Sequence, residues 1–173
     1  MRALFFCSAA GNIAPEYNEA ARMVVRAACA RGYDIVSGGA AKGTMAVVCE
    51  EASACGAVVR GVLPRFMEAL EHPGLTETVF TDTMSERKEK MREGADVVIA
   101  LPGGIGTMDE LFETMVLVKL GQLNGRIFAL NIGGFYDPLT ALLDHFVAEG
   151  MLTPEDKAIL KMPSTVEELA AQL

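Results

Sequence analysis

Short apolar runs alternate along the chain with longer stretches whose apolar positions recur at helical spacing. That alternation is the signature of βαβ units wound about a parallel sheet. Strands are expected at 3–7, 34–36, 57–63, 77–80, 96–101 and 127–132. The segment DVVIAL at 96–101 is apolar almost throughout, as a central strand covered on both faces must be. Helices are expected at 15–31, where Pro15 stands at a first helical position and Gly32 follows the end, and at 43–55, which stops at Gly56. A short, highly charged helix is expected at 85–92. A longer one at 107–120 carries Leu111, Met115 and Val118 at helical spacing and ends at Gly121. A helix at 135–149 and two shorter ones beyond Pro154 complete the pattern. No linker, repeat or low-complexity run divides residues 1–173, so the expected fold class is α/β: a single domain with a doubly wound parallel sheet flanked by helices.

Composition narrows the function. The chain has 173 residues, 51% of them hydrophobic and 22% charged, which is globular rather than disordered composition. Its formal charge of −8 argues against a general nucleic-acid surface, because affinity for the phosphate backbone needs clustered Lys and Arg. A single phosphate is another matter, since backbone N–H groups and one or two basic side chains suffice to hold it. The four cysteines, Cys7, Cys29, Cys49 and Cys55, show no two-residue spacing, and only His72 and His145 accompany them. Three of the cysteines lie in Ala- and Val-rich runs and are expected as small core residues, not metal ligands or disulfides. The N-terminal apolar stretch is short, runs into Gly11 and reads as a first buried strand rather than a signal peptide. No run approaches the length of a membrane span, and a cytoplasmic location is expected.

In a doubly wound sheet, ligands bind where the carboxyl ends of the strands turn into helices. Two glycine-rich turns occupy such places: Ser37-Gly38-Gly39-Ala40-Ala41-Lys42-Gly43-Thr44-Met45 and Pro102-Gly103-Gly104-Ile105-Gly106-Thr107-Met108-Asp109-Glu110. The second carries the stronger signal. Glycines let the backbone approach an oxyanion, a helix N-terminus supplies N–H groups and positive potential, and Thr107 is expected to cap that helix. A plain tight turn also uses glycine, but three glycines and a threonine at one junction favour a phosphate. Neither turn has the P-loop spacing, and the first strand leads into Cys7-Ser8-Ala9-Ala10-Gly11-Asn12 instead of a dinucleotide fingerprint. No redox cofactor is therefore indicated. Asp109 and Glu110 stand where carboxylates compensate a helix dipole, yet a carboxylate beside a phosphate costs electrostatic energy and suggests chemistry on a ligand's sugar. In the charged run 84–91, Glu86, Glu89 and Lys90 are expected as a solvated face, while Arg87 is placed to swing over the ligand.

The order SGG…KGTM, then ERK..M, then PGGIGTMDE resembles the LOG ("Lonely guy") family of cytokinin riboside 5′-monophosphate phosphoribohydrolases, from Cys7 to about Gly150. The resemblance implies hydrolysis of the N-glycosidic bond of a nucleoside 5′-monophosphate, giving free base and ribose 5-phosphate, without cofactor or metal. It implies Arg87 and Glu110 as the catalytic pair. Gly103, Gly104, Gly106 and Thr107 would take the phosphate, with Gly39, Met84 and Lys88 also expected to bind the substrate or its phosphate. It implies a Rossmann-like fold and a homodimer with active sites at the interface. The chain departs from the family pattern at Ala40, Ala46, Ser85 and Cys7-Ser8-Ala9. Relatives are often labelled lysine decarboxylases, but no pyridoxal site is evident here. The rival expectation is a non-catalytic carrier of a nucleotide or of the molybdenum cofactor, which shares the fold and a glycine-rich phosphate loop; the Arg87–Glu110 pair favours the enzyme.

Overall fold

The computed structural model describes residues 1–173, which gather around one seven-stranded sheet, parallel throughout, in the order β4-β3-β2-β1-β5-β6-β7. The strands are β1 (Arg2–Phe6), β2 (Asp34–Ser37), β3 (Val59–Pro64), β4 (Glu77–Thr81), β5 (Val97–Ala100), β6 (Arg126–Ala129) and β7 (Leu160–Lys161). The helices are α1 (Pro15–Ala30), α2 (Gly43–Ala54), α3 (Met84–Arg92), α4 (Ile105–Lys119), α5 (Asp137–Ala148), α6 (Pro154–Lys157) and α7 (Val166–Ala170). Alternate residues of each strand feed opposite faces. Phe5, Ile35, Val97 and Ile99 join the core under α1, α2 and α7, while Leu4, Phe6, Val98 and Ile127 join the core under α3, α4 and α5. The expected central strand is buried at every position, having one core on each side.

The chain reverses its winding between β1 and β5, so the loops that follow these two strands leave towards opposite faces. That switch point is where such sheets open a crevice at their carboxyl ends. The expected elements all form, with ends displaced by one to three residues. The differences follow from local bonding. β6 ends at Ala129, and residues expected to prolong it instead enter the 3-10 turn Ile132–Gly134, where Gly133 has φ 60°. A second 3-10 turn, Arg65–Leu70, follows β3, and β7 is a two-residue edge strand too short to show periodicity. No helix is long and apolar enough to cross a membrane.

Candidate active site

The loop at 102–104 turns β5 into α4. Gly104 is the N-cap, and the helical ladder begins with the Met108 N–H donating to the Gly104 carbonyl, 3.0 Å. The N–H groups of Ile105, Gly106 and Thr107 thus lie ahead of the ladder at the positive end of a fifteen-residue helix. Thr107 does not cap the helix as expected. It lies inside the first turn with its side chain over Gly103, where a methyl on Gly103 would come within 2.1 Å of Thr107 Oγ1. The loop is held from behind by Tyr136, whose hydroxyl donates to the Leu101 carbonyl at 2.6 Å.

One turn further along α4, Glu110 shares the face of Gly106 and Thr107. The first turn of α4 contains no acidic residue, so dipole compensation does not explain Glu110, which is buried at 8% exposure. Its partner is Arg87 of α3, also 8% exposed, whose Nη1 donates to Glu110 Oε1 at 2.8 Å. Arg87 does not swing over the site from a solvated face. Its Nε donates to the Val62 carbonyl of β3 at 2.9 Å, which pins the guanidinium under the sheet end. The helix carrying it opens with a capping box, in which Thr83 accepts from the Glu86 N–H and the Glu86 carboxylate accepts from the Thr83 N–H. Glu89 and Lys90 face solvent as expected.

The flanking charges tie α3 to α4. Lys88 Nζ bonds Asp109 at 2.9 Å and Glu113 at 2.7 Å, and Arg92 bonds Glu113 at 3.1 Å. Lys88 is therefore engaged by carboxylates and does not border the cavity. These pairs fix the two helices that deliver Arg87 and Glu110. Burial raises the Glu110 carboxyl above the ordinary glutamate range; Arg87 opposes that shift by charge and hydrogen bond without cancelling it. The Cys7 thiol, buried at the end of β1, is pushed well up by desolvation and next by the charge of Glu110.

Arg87, Glu110, Gly104, Gly106 and Thr107 open onto one cavity of about 340 Å³ at the carboxyl ends of the strands, of the size of small-molecule sites. Ser8 and Ala9 of the β1–α1 loop form another wall, and Met45, Met67, Met84 and Met91 give it an apolar, deformable side. Met84, one of the residues expected at the site, borders this cavity. Gly39 does not: Gly38 borders the cavity, while Gly39, at φ 74°, packs on Gly61, leaving 2.9 Å for a methyl. Gly103 faces a shallower cavity of about 190 Å³ with Tyr17 and Phe135, and shares Gly104 and Ser8 with the larger one. Sequence reasoning missed Gly38 and, of the methionine wall, Met45, Met67 and Met91. Gly38 adjoins Gly39 in the same turn, and nothing in the sequence separates their roles. Met45, Met67, Met84 and Met91 come from three separate elements, α2, the 3-10 turn after β3, and α3. Cys7 and Cys49 are buried core residues, Cys29 is half-buried and Cys55 exposed.

Comparison with other proteins agrees with this geometry. Residues 45–173 match the family model described as "Possible lysine decarboxylase". A probable cytokinin riboside 5′-monophosphate phosphoribohydrolase of Oryza sativa subsp. japonica is 35% identical, over 99% of this chain and 78% of its own. A cytokinin riboside 5′-monophosphate phosphoribohydrolase of Arabidopsis thaliana is 34% identical over 99% and 80%, and one of Rhodococcoides fascians 33% over 97% and 86%. Among solved structures, the molybdenum cofactor carrier protein of Chlamydomonas reinhardtii superposes with a TM-score of 0.74 at 16% identity, covering 98% of this chain and 93% of its own. The molybdenum cofactor binding protein of Rippkaea orientalis gives 0.72 at 16%, over 99% and 94%. Those two likenesses concern the fold. With a family model over most of the chain and relatives a third identical along nearly all of it, this chain belongs to the LOG family of cytokinin riboside 5′-monophosphate phosphoribohydrolases.

Proposed function

We propose that the protein hydrolyses the N-glycosidic bond of a nucleoside 5′-monophosphate, a cytokinin riboside monophosphate or AMP, releasing free base and ribose 5-phosphate. The observation that carries this reading is the buried Arg87–Glu110 pair, set one helical turn from an unsatisfied helix N-terminus in a common cavity. The phosphate sits on the N–H groups ahead of the α4 ladder and on Thr107. That anchorage holds the sugar over the next turn, where Glu110 lies. As the base leaves, positive charge builds on the ribose ring carbon and its oxygen. The Glu110 carboxylate stabilises that charge and orients the attacking water. Arg87 keeps part of the carboxylate's charge in place despite burial, and its Nη2, which donates to no protein acceptor, is available to the ribose hydroxyls or the departing base. The methionine wall receives the apolar edge of the base. Gly103 acts through Thr107, and Lys88 through Asp109, with no direct contact to the nucleotide.

Support for a homodimer comes from α4, its C-cap and α5, which leave Val116, Leu120, Leu142 and Phe146 exposed beside a mostly apolar groove lined by Phe112, Met115 and Leu152. A second copy covering this surface would extend the cavity wall formed by the other face of α4. The cysteines are all free thiols, in keeping with a reducing compartment such as the cytoplasm.

The test is incubation of the protein with AMP and with isopentenyladenosine monophosphate, followed by chromatography for free base and ribose 5-phosphate. Release from either supports the hydrolase, and the faster substrate identifies the preferred base. Tight nucleotide binding without release from either would instead favour a carrier.

A further inference from the structure

The carboxyl end of β2 passes directly beneath Arg87. A methyl group built on Gly38 would stand 2.3 Å from Arg87 Nη2 and 2.8 Å from Met45 Sδ, closer than side-chain carbons approach in proteins. Gly38 does not have the positive φ that demands glycine for the backbone, in contrast to Gly39 beside it. Space alone accounts for a glycine at 38. The atom occupying that space belongs to the guanidinium, which donates by Nε to Val62 and by Nη1 to Glu110.

We infer that Gly38 is a positioning residue for the hydrolysis: its missing side chain lets the Arg87 guanidinium lie flat across the end of β2, with Nη1 on Glu110 and Nη2 against the cavity. The inference rests on the hydrolase reading and extends it to a residue outside both the phosphate loop and the Arg–Glu pair. An alanine there meets the end of a flexible side chain, so the arginine yields and the sheet stays. A displaced guanidinium loses the 2.8 Å bond to Glu110. The other groups acting on that carboxylate are Cys7 of β1, Lys88 of α3 and its own neighbour Asp109; of these only Lys88 is cationic, and it is already held by Asp109 and Glu113. Burial then acts on Glu110 with much less opposition, and its carboxyl moves further up.

The test compares Gly38→Ala with Gly125→Ala, where a methyl comes no nearer than 3.6 Å to any atom and lies away from the cavity. Gly38→Ala should lower kcat for nucleotide hydrolysis by about 10²-fold, with a smaller change in KM. In protein labelled with ¹³C-glutamate, with Glu110→Gln to assign the signal, Glu110 should titrate at higher pH in Gly38→Ala than in the wild type. Gly125→Ala should match the wild type in both measurements. Adding Met45→Ala to Gly38→Ala removes the sulfur contact and should not restore the rate. In an Arg87→Ala background the guanidinium contact is gone and the methyl meets only the flexible Met45 side chain, so Gly38→Ala should there change neither the residual rate nor the Glu110 titration. Normal turnover by Gly38→Ala, an unmoved Glu110 titration, recovery on removing Met45, or additive loss in the Arg87→Ala background would each overturn the inference. If the wild type cleaves no nucleotide, the hydrolase reading falls, while the Glu110 titration still decides the role of Gly38.

Discussion

Gly103 offers the sharpest perturbation of the phosphate loop, because its methyl-sized gap is filled by Thr107. In Gly103→Ala the new carbon would lie 2.1 Å from Thr107 Oγ1, 2.7 Å from its Cβ and 3.0 Å from its Cγ2. Contacts of a real Cβ under 3.0 Å are essentially not seen, so the hydroxyl must retreat by roughly 0.9 Å. Rotating Thr107 off its rotamer costs about 0.5–1.5 kcal/mol, a modest loss for a fold with a core on each face of its sheet. Catalysis is far more sensitive, since a displacement of about 1 Å in a positioning group costs around 10²-fold. Gly103→Ala should therefore lower kcat/KM for the nucleotide about 10²-fold, with a fall in thermal midpoint of only about 2–5 °C. Because the proposed binding mode puts Thr107 at the phosphate rather than at the bond broken, affinity for ribose 5-phosphate, measured by calorimetry, should weaken alongside. A Gly103→Ala protein with wild-type kcat/KM and undiminished affinity for ribose 5-phosphate would refute both the placement of the phosphate and the part given to Thr107.

Glu110→Gln preserves shape and a carbonyl for Arg87 but removes the charge, so turnover should drop about 10²–10³-fold while ribose 5-phosphate still binds; unchanged turnover would remove Glu110 from the chemistry. Burial raises the Glu110 carboxyl and the reaction needs the carboxylate, so kcat/KM should rise with pH through a limb above the ordinary glutamate range of about 4.3. A stopped assay from pH 4 to 8 whose limb lies at or below that range would contradict the assignment. The same shift acts on stability with the opposite sign. The folded state holds the proton more tightly, so the contribution of Glu110 is greatest in acid and declines as pH rises through its raised folded pKa. Tyr136→Phe leaves the buried Leu101 carbonyl without its donor and should cost about 1–3 kcal/mol in urea unfolding; full stability would mean the loop needs no such anchor. Val116→Glu together with Phe146→Glu should shift sedimentation from dimer to monomer, and a persisting dimer would move the interface elsewhere.

The order and kind of the elements were legible because they depend on local periodicity. Apolar runs such as DVVIAL at 96–101, followed by glycine and a 3.6-residue repeat, leave little besides a parallel sheet with helices on both faces. The glycine-rich turn at 102–107 was legible for the same reason: its glycines, its threonine and the helix behind it are contiguous. The pair Arg87 and Glu110 was named through a motif order, and its meaning came only from three dimensions. A charged helix reads as a solvated face, yet the packing of α3 against β3 and α4 buries Arg87 and places its Nη1 2.8 Å from Glu110. The role of Lys88 changed likewise once Asp109 and Glu113 stood within 3 Å of it.

What the sequence determined by itself is thus whatever short-range sterics and hydrophobic period dictate: strands, helices, the glycine turn and the chemistry of the groups available. What only the tertiary structure decided is which groups meet and how far each is removed from water. Gly38 and Gly39 are adjacent and chemically identical, yet one leaves room for a guanidinium from α3 and the other for the backbone of β3. Four methionines from three elements converge on one wall. These outcomes depend on contacts between residues far apart in the chain, and no local pattern encodes a distance across the fold.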